Sequence, residues 1–309
     1  MGIISSIYRK NLLLRYDKDP AIPYYGVTSF NDLKKEDFSF QNSRDANIKY
    51  FYYYRDGYQK DKIILFCPGI GPGHTAYLKE INELTLNGYK VLTLDYMGCG
   101  ASSGSGLYSF NEPTRDVLEL LNVLDIKEDI ILFGHSLGAF TALNVINKKQ
   151  VIKKAIIMSG FISLEYEILF LVKNKFATTR IIKYEHKIEP EYFGIDNIKY
   201  LKETSDKLFF IHSTDDQMVG FETSFKVVKE MNNPNIELLE MNNKKHNPDY
   251  SFEAIEYMTS TFAEYNSLIK NKKLKTVEER IEFFKDKSID KMTELDADVF
   301  RKIIDFIGK

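Results

Sequence analysis

The 309-residue sequence has no tryptophan, two cysteines and no apolar run near the ~20 residues that a helix needs to cross a bilayer. A transmembrane segment is therefore not expected. Cys67 and Cys99 are too few for a disulfide framework, so a reducing, cytoplasmic setting is the expectation. Neither thiol has a neighbour in sequence that would lower its pKa, and both read as inert. The formal net charge is −2, which offers no overall electrostatic handle for nucleic acid or for an anionic membrane. The sequence has no H-E-x-x-H and no Cys/His cluster, so no metal site is expected. The glycine-rich stretch Pro68-Gly69-Ile70-Gly71-Pro72-Gly73-His74 lacks the third glycine of a dinucleotide fingerprint and the Lys-Ser/Thr of a P-loop; no cofactor is expected. The first sixteen residues lack a long apolar core and an Ala-x-Ala site, so no signal peptide is read. Met1-Gly2-Ile3-Ile4-Ser5-Ser6 fits the myristoylation pattern, but a short packing helix is the preferred reading.

Hydrophobic residues make up 44% and charged residues 28% of the chain, an ordinary globular balance in which 20 tyrosines and 22 phenylalanines carry the aromatic load. One enlarged domain is expected at this length. Strand-like runs at 48–54, 62–67, 91–94, 130–133, 154–158, 208–212 and 236–241 alternate with helical patterns. Short, wholly apolar strands are buried on both faces, and their alternation with helices predicts a mostly parallel sheet with helices on both sides. The first two runs predict an antiparallel edge leading into a buried parallel strand. Asn111 reads as the N-cap of a helix that starts with Glu112-Pro113.

The chain is organised around Gly134-His135-Ser136-Leu137-Gly138. A β-branched strand precedes it, and a helical run with small Ala139 and Ala142 follows. A serine between strand and helix sits on a sharp turn with its hydroxyl pushed outward. Glycines two residues to either side relieve crowding against neighbouring backbone. This nucleophile-elbow pattern resembles the α/β-hydrolase superfamily, over about residues 38–269. The resemblance implies an α/β-hydrolase fold with Ser136 as nucleophile. It implies an oxyanion hole from the N–H of Leu137 and, after the strand ending at Cys67, of Ile70. Pro68-Gly69 replaces the usual histidine-glycine pair, so neighbouring residues of that loop compete with Ile70.

The loop after 208–212 is similar to the superfamily's H-G-x-x-D-x-x-V. Aligned on His212, the acid falls on Asp216 and the valine on Val219, with Ser213 in place of glycine; Asp215 is the rival. His246 follows the last strand, which completes the order Ser136, Asp216, His246 that this fold requires. A serine hydroxyl is a poor nucleophile until a neutral imidazole takes its proton, and the imidazole needs a carboxylate to fix its tautomer. Of the five histidines, His135 and His212 read as packing or supporting groups and His186 as surface. His74 either lines the mouth of the site or begins a helix. Asp95, in a loop similar to the superfamily's D-x-x-G-x-G-x-S, reads as structural.

The rhythm breaks between 161 and 206, an insertion resembling a helical cap whose apolar residues are expected to form the acyl or aryl pocket. The expected division is an N-terminal extension (1–37), a core (38–160 and 207–269), the cap (161–206) and a C-terminal helical extension (270–309). In the last, Thr276-Val277-Glu278-Glu279 is a capping box. The stripe Val299, Phe300, Ile303, Ile304 and Ile307 either packs back on the domain or offers a homodimer contact. The function implied is a serine hydrolase cleaving a small-molecule carboxylic ester. An aminopeptidase, thioesterase or acyltransferase could use the same atoms, and a non-catalytic binding protein is the rival class.

Overall fold

The structure is a computed structural model that describes residues 2–59 and 61–309. Met1, the first residue of the lipidation-like hexapeptide, and Lys60 lie outside the described residues. Among the described residues eight strands form one sheet: β1 (Lys34–Gln41), β2 (Asn47–Tyr54), β3 (Lys62–Cys67), β4 (Lys90–Leu94), β5 (Asp129–His135), β6 (Lys154–Met158), β7 (Lys207–Ser213) and β8 (Ile236–Met241), in the order β1-β2-β4-β3-β5-β6-β7-β8. β1 and β2 run antiparallel and join β4 antiparallel, while every pairing from β4 to β8 is parallel. β1 begins inside the segment read as an N-terminal extension.

Both faces of the central strands are buried, as their apolar runs require. Ile63, Leu65 and Cys67 of β3 enter one hydrophobic cluster, and Ile64 and Phe66 enter the other. β6 divides in the same way, Ala155 and Ile157 against Ile156 and Met158. The first face is covered by α1 (Ile3–Leu12) and, after α2 (Leu78–Leu86), by α3 (Glu112–Val123) and α4 (Leu137–Lys148). The insertion adds four helices: α5 (Leu164–Val172), α6 (Lys175–Ile188), α7 (Pro190–Phe193) and α8 (Asn197–Glu203). α9 (Phe225–Met231) follows β7, and α10 (Phe252–Lys270) follows β8. The chain closes with α11 (Val277–Lys285), α12 (Ile289–Met292) and α13 (Ala297–Gly308). None of the described helices is long and apolar enough to cross a membrane.

Two sequence readings are sharpened here. Asn111 precedes α3 but is itself helical in backbone conformation, and its side chain makes no capping hydrogen bond. The stripe on α13 is spent within the chain: Val299, Phe300, Ile303 and Ile307 are buried against β-strand residues on the second face, with α2 beside them. Phe306 packs on Phe209 with ring centres 5.3 Å apart. The homodimer reading thereby loses the apolar stripe it rested on. The capping box at Thr276 and Glu279 forms as expected.

Candidate active site

A parallel sheet delivers its loops to one edge, at the carboxyl ends of the strands. β5 ends at His135, and Ser136 takes the turn into α4 with φ 57°, a left-handed backbone that a serine adopts only where its surroundings impose it. Gly134 and Gly138 permit the turn. A Cβ on Gly134 would run into the Gly138 carbonyl, and one on Gly138 into the carbonyls of Cys67 and Pro68. The loop after β3 is thus pressed directly against the start of α4.

The loop after β7 holds Asp216. Its Oδ1 accepts from the N–H of Met218 (2.8 Å) and Val219 (3.1 Å), and its Oδ2 accepts from His246 Nδ1 at 2.8 Å and lies 3.2 Å from His212 Nε2. Burial alone would raise this carboxyl's pKa. Hydrogen bonds from His212 and His246 outweigh it and hold the group well below the usual carboxylate range. Asp215 is turned elsewhere, accepting from Ser213 Oγ (2.6 Å) and the Lys245 N–H (3.1 Å). Because Nδ1 of His246 donates to Asp216, its Nε2 is the nitrogen left to take a proton.

His246 and Ser136 line the same cavity, of about 310 Å³. Among the described residues the Ser136 hydroxyl has no hydrogen-bond partner, and the N–H groups of Ile70 and Leu137 have no acceptor. The Gly69 N–H is used up, donating to Tyr77 Oη at 3.0 Å. Tyr77 in turn donates to His135 Nδ1 (3.0 Å), and His135 Nε2 donates to the His246 carbonyl at 2.8 Å. Burial, then the neighbouring His246, lowers the His135 pKa to about 3, so this ring stays neutral and its tautomer is fixed by its two partners. This chain ties the loop after β3 to the backbone that carries His246. Nothing in sequence marked Tyr77 for it.

His74 turns out to be structural. It begins a short 3-10 turn, is buried, stacks on Phe51 at 3.9 Å, and bonds Asp95 through Nδ1 (2.9 Å) and Tyr53 through Nε2 (2.9 Å). Asp95 also accepts from the backbone of His74 and Ala101, which pins two loops together. Cys67 and Cys99 are buried, and burial pushes both thiols up to about 12. His186 is exposed. Among the described residues no group of three or more His, Cys, Asp or Glu side chains is placed to hold a metal ion.

The larger correction concerns what covers Ser136. No residue of 161–206 lines the cavity. Phe176 is exposed on α6, Tyr184 bonds the Tyr108 carbonyl, and Tyr200 bonds Asp206. The apolar wall comes instead from the chain's two ends, from Ile22 to Tyr25 and from Met258, Phe262 and Met292 on α10 and α12. The C-terminal part also braces His246. Lys244, fully buried, donates to the Tyr250 carbonyl and to Asp296 Oδ2 (2.8 Å), and the Asp296 N–H donates to the Asp249 carbonyl at 2.7 Å.

Behind Tyr250, which lines the cavity, Glu80 and Asp249 are buried, each with one carboxyl oxygen unpartnered. Burial, and next the Asp249 charge, pushes Glu80 well above the usual range; burial raises Asp249 too. The folded chain therefore keeps protons that the unfolded chain has released. The associated stability is present at low pH and is lost as pH rises from about 5 to about 8. Glu80→Gln, which keeps an acceptor for Tyr250 and removes the charge, is expected to raise the melting temperature at pH 8 by a few degrees and to leave it nearly unchanged at pH 5. Thermal unfolding followed by circular dichroism at the two pH values tests this; equal shifts at both would exclude a charge effect.

A family model, Hydrolase_4, described as serine aminopeptidase S33, matches residues 58–191, which include Ser136 but end before Asp216 and His246. An epoxide hydrolase of Caballeronia sordidicola is 32% identical over 84 residues, 26% of this chain and 25% of the relative. A putative chloroplastic methylesterase 11 of Arabidopsis thaliana is 27% identical over 133 residues, 40% of this chain and 34% of the relative. The matches thus span about a quarter to a third of those relatives' lengths. An esterase of Pyrococcus furiosus superposes with a TM-score of 0.59 at 17% identity, over 83% of this chain and 98% of that one. At that identity the likeness is one of fold.

Proposed function

From the α/β-hydrolase fold of this chain we propose that it is a serine hydrolase cleaving a carboxylic ester with an apolar acyl group. The observation that carries the reading is the Asp216–His246 hydrogen bond of 2.8 Å at the wall of a cavity that also opens on Ser136. In this reaction Ser136 Oγ adds to the ester carbonyl carbon while its proton passes to His246 Nε2. Asp216, already ionised, stabilises the imidazolium without taking the proton. The carbonyl oxygen, now negative, accepts from the Ile70 and Leu137 N–H groups, where one donor is worth roughly 3 kcal/mol of barrier. The alcohol leaves with the proton from Nε2. Water then enters by the same path in reverse, releasing the acid and restoring Ser136.

The cavity supports an uncharged substrate. Its described lining includes Tyr24, Tyr25, Met218, Met258, Phe262 and Met292 and no carboxylate. Its lysine, Lys79, is paired with Asp290 at 3.1 Å. A free α-ammonium, which an aminopeptidase must hold, would find no counter-charge there. Ser136 at the elbow also separates this chain from hydrolases that place an aspartate nucleophile at that position. Fluorophosphonate labelling followed by a panel of p-nitrophenyl esters tests the reading. Failure of the wild-type protein to label alongside an active control esterase would refute it.

The lining makes a finer prediction. Met292→Trp, which fills the apolar wall, is expected to lower kcat/KM for the octanoate ester at least about tenfold, while the acetate ester changes by less than about threefold. Equal losses on both esters would remove Met292 from acyl selection.

A further inference from the structure

The overall charge of −2 conceals a strongly segregated face formed by α1 and α6. The two helices pack together through Tyr8, whose hydroxyl donates to Glu185 at 2.6 Å and whose ring meets Tyr184 edge-on at 6.0 Å. That contact buries the face's acid. α1 contains no Asp or Glu, and Glu185 of α6 is fully buried. Arg9, Lys10, Lys175, Arg180, Lys183 and Lys187 remain, and among the described residues none of them forms an ion pair.

Apolar side chains stand among these cations instead of being buried. Ile3 is 80% exposed, Phe176 65% and Ile7 55%. Their spacing is regular. Ile3, Ile7 and Lys10 share one face of α1, and Phe176, Arg180, Lys183 and Lys187 fall at successive steps of four, three and four along α6. The Arg180 guanidinium lies 5.1 Å over the Phe176 ring. Between the helices runs an open groove of about 620 Å³, lined by Ile3, Ile4, Phe176, Arg180, Lys183 and Lys187 among others. The cavity at Ser136 shares no lining residue with it.

From this arrangement we infer that the α1–α6 face seats the protein on an anionic lipid bilayer, with Ile3, Ile7 and Phe176 entering the headgroup region and the exposed cations Lys10, Lys175, Arg180, Lys183 and Lys187 meeting lipid phosphates and carboxylates, while Arg9 lies over the Tyr108 ring. The charge complementarity selects the partner. A second copy would present the same uncompensated cations and be repelled. A nucleic-acid backbone would reward the cations but not the exposed isoleucines. An anionic membrane surface satisfies both, because apolar insertion and electrostatic attraction add there. The face is peripheral and requires no spanning helix.

Flotation of the full chain with vesicles tests this. At about 0.1 M salt the protein is expected to float with phosphatidylcholine vesicles containing about 30% phosphatidylserine, and to bind pure phosphatidylcholine at least about tenfold more weakly. The variant Arg180→Ala/Lys183→Ala/Lys187→Ala is expected to lose about a hundredfold in partitioning to the anionic vesicles. Ile3→Ser/Phe176→Ser, with charge unchanged, is expected to lose at least about tenfold. Each variant must keep the wild-type circular dichroism spectrum and melting temperature; where one does not, the single substitution Lys183→Ala takes its place, with an expected loss of about fivefold. Wild-type protein that stays behind with the anionic vesicles would overturn the inference. So would vesicle binding that ignores Ile3→Ser/Phe176→Ser, or a triple variant that alters self-association or heparin binding but not flotation.

Discussion

Ser136→Ala is expected to abolish fluorophosphonate labelling and to lower ester turnover by about 10⁴- to 10⁶-fold, with His246→Ala close behind, because the members of such a set act as one unit. Asp216→Asn is expected to cost about 10³- to 10⁴-fold in kcat, since an amide no longer holds the His246 tautomer or offsets the imidazolium charge. Asp215→Asn should keep most of the activity, as its carboxyl is engaged by Ser213 and the Lys245 backbone. His212→Ala falls between: it removes one partner from Asp216 Oδ2 but leaves the 2.8 Å bond to His246. Turnover of a p-nitrophenyl ester across the series separates these roles. An inactive Asp215→Asn beside an active Asp216→Asn would exchange the two aspartates, and labelling that survives Ser136→Ala would remove Ser136 from the reaction. Stability should follow a different order. Ser136 holds φ 57° against its own preference, so Ser136→Gly should be more stable than wild type by about 1 kcal/mol while being inactive.

Gly138→Ala is expected to destabilise the fold by more than about 4 kcal/mol, or to yield insoluble protein, although it adds a single methyl group. That methyl would occupy the place of the Cys67 and Pro68 carbonyls. Both are backbone atoms at the end of a buried central strand and cannot swing aside as a side-chain tip could. At about 2–4 °C per kcal/mol for a chain of this size, the melting temperature should fall by about 10 °C or more. Gly194→Ala is the control: its Cβ meets nothing within 4 Å and its φ is −83°, so it should change stability by less than about 0.5 kcal/mol. The motif around Ser136 marks Gly138 as crowded, and the structure names the atoms that crowd it and leaves Gly194 open. A Gly138→Ala protein that melts like wild type would mean that the loop after β3 can retreat from α4. The proposed oxyanion donors on the two sides of that contact, Ile70 and Leu137, would then not be held in register.

Local sequence carried the sheet. The apolar runs of β3 to β7 and the turn at Ser136 are written in neighbouring residues, because strand periodicity and turn chemistry act over a few positions. The antiparallel edge was legible in the aromatic and β-branched run of β2. Ends were less so: β1 starts at Lys34, inside the segment read as an N-terminal extension, and Asn111 holds the N-cap position without making the capping bond.

What sequence by itself determined about this protein is the order of its strands and helices and the positions where their loops emerge, since short-range backbone preference and burial period decide both. What only the tertiary structure decided is which distant segments meet at those loops. Residues 22–25 and the helices α10 and α12 line the cavity at Ser136, where the insertion 161–206 was expected. His74 closes on Asp95, and Tyr77 with His135 braces His246. The stripe of α13 covers the sheet and is not itself offered to a second copy. An apolar stripe announces that it will be buried but not against what, because the hydrophobic effect is non-directional and the partner is set by the shape of the whole fold.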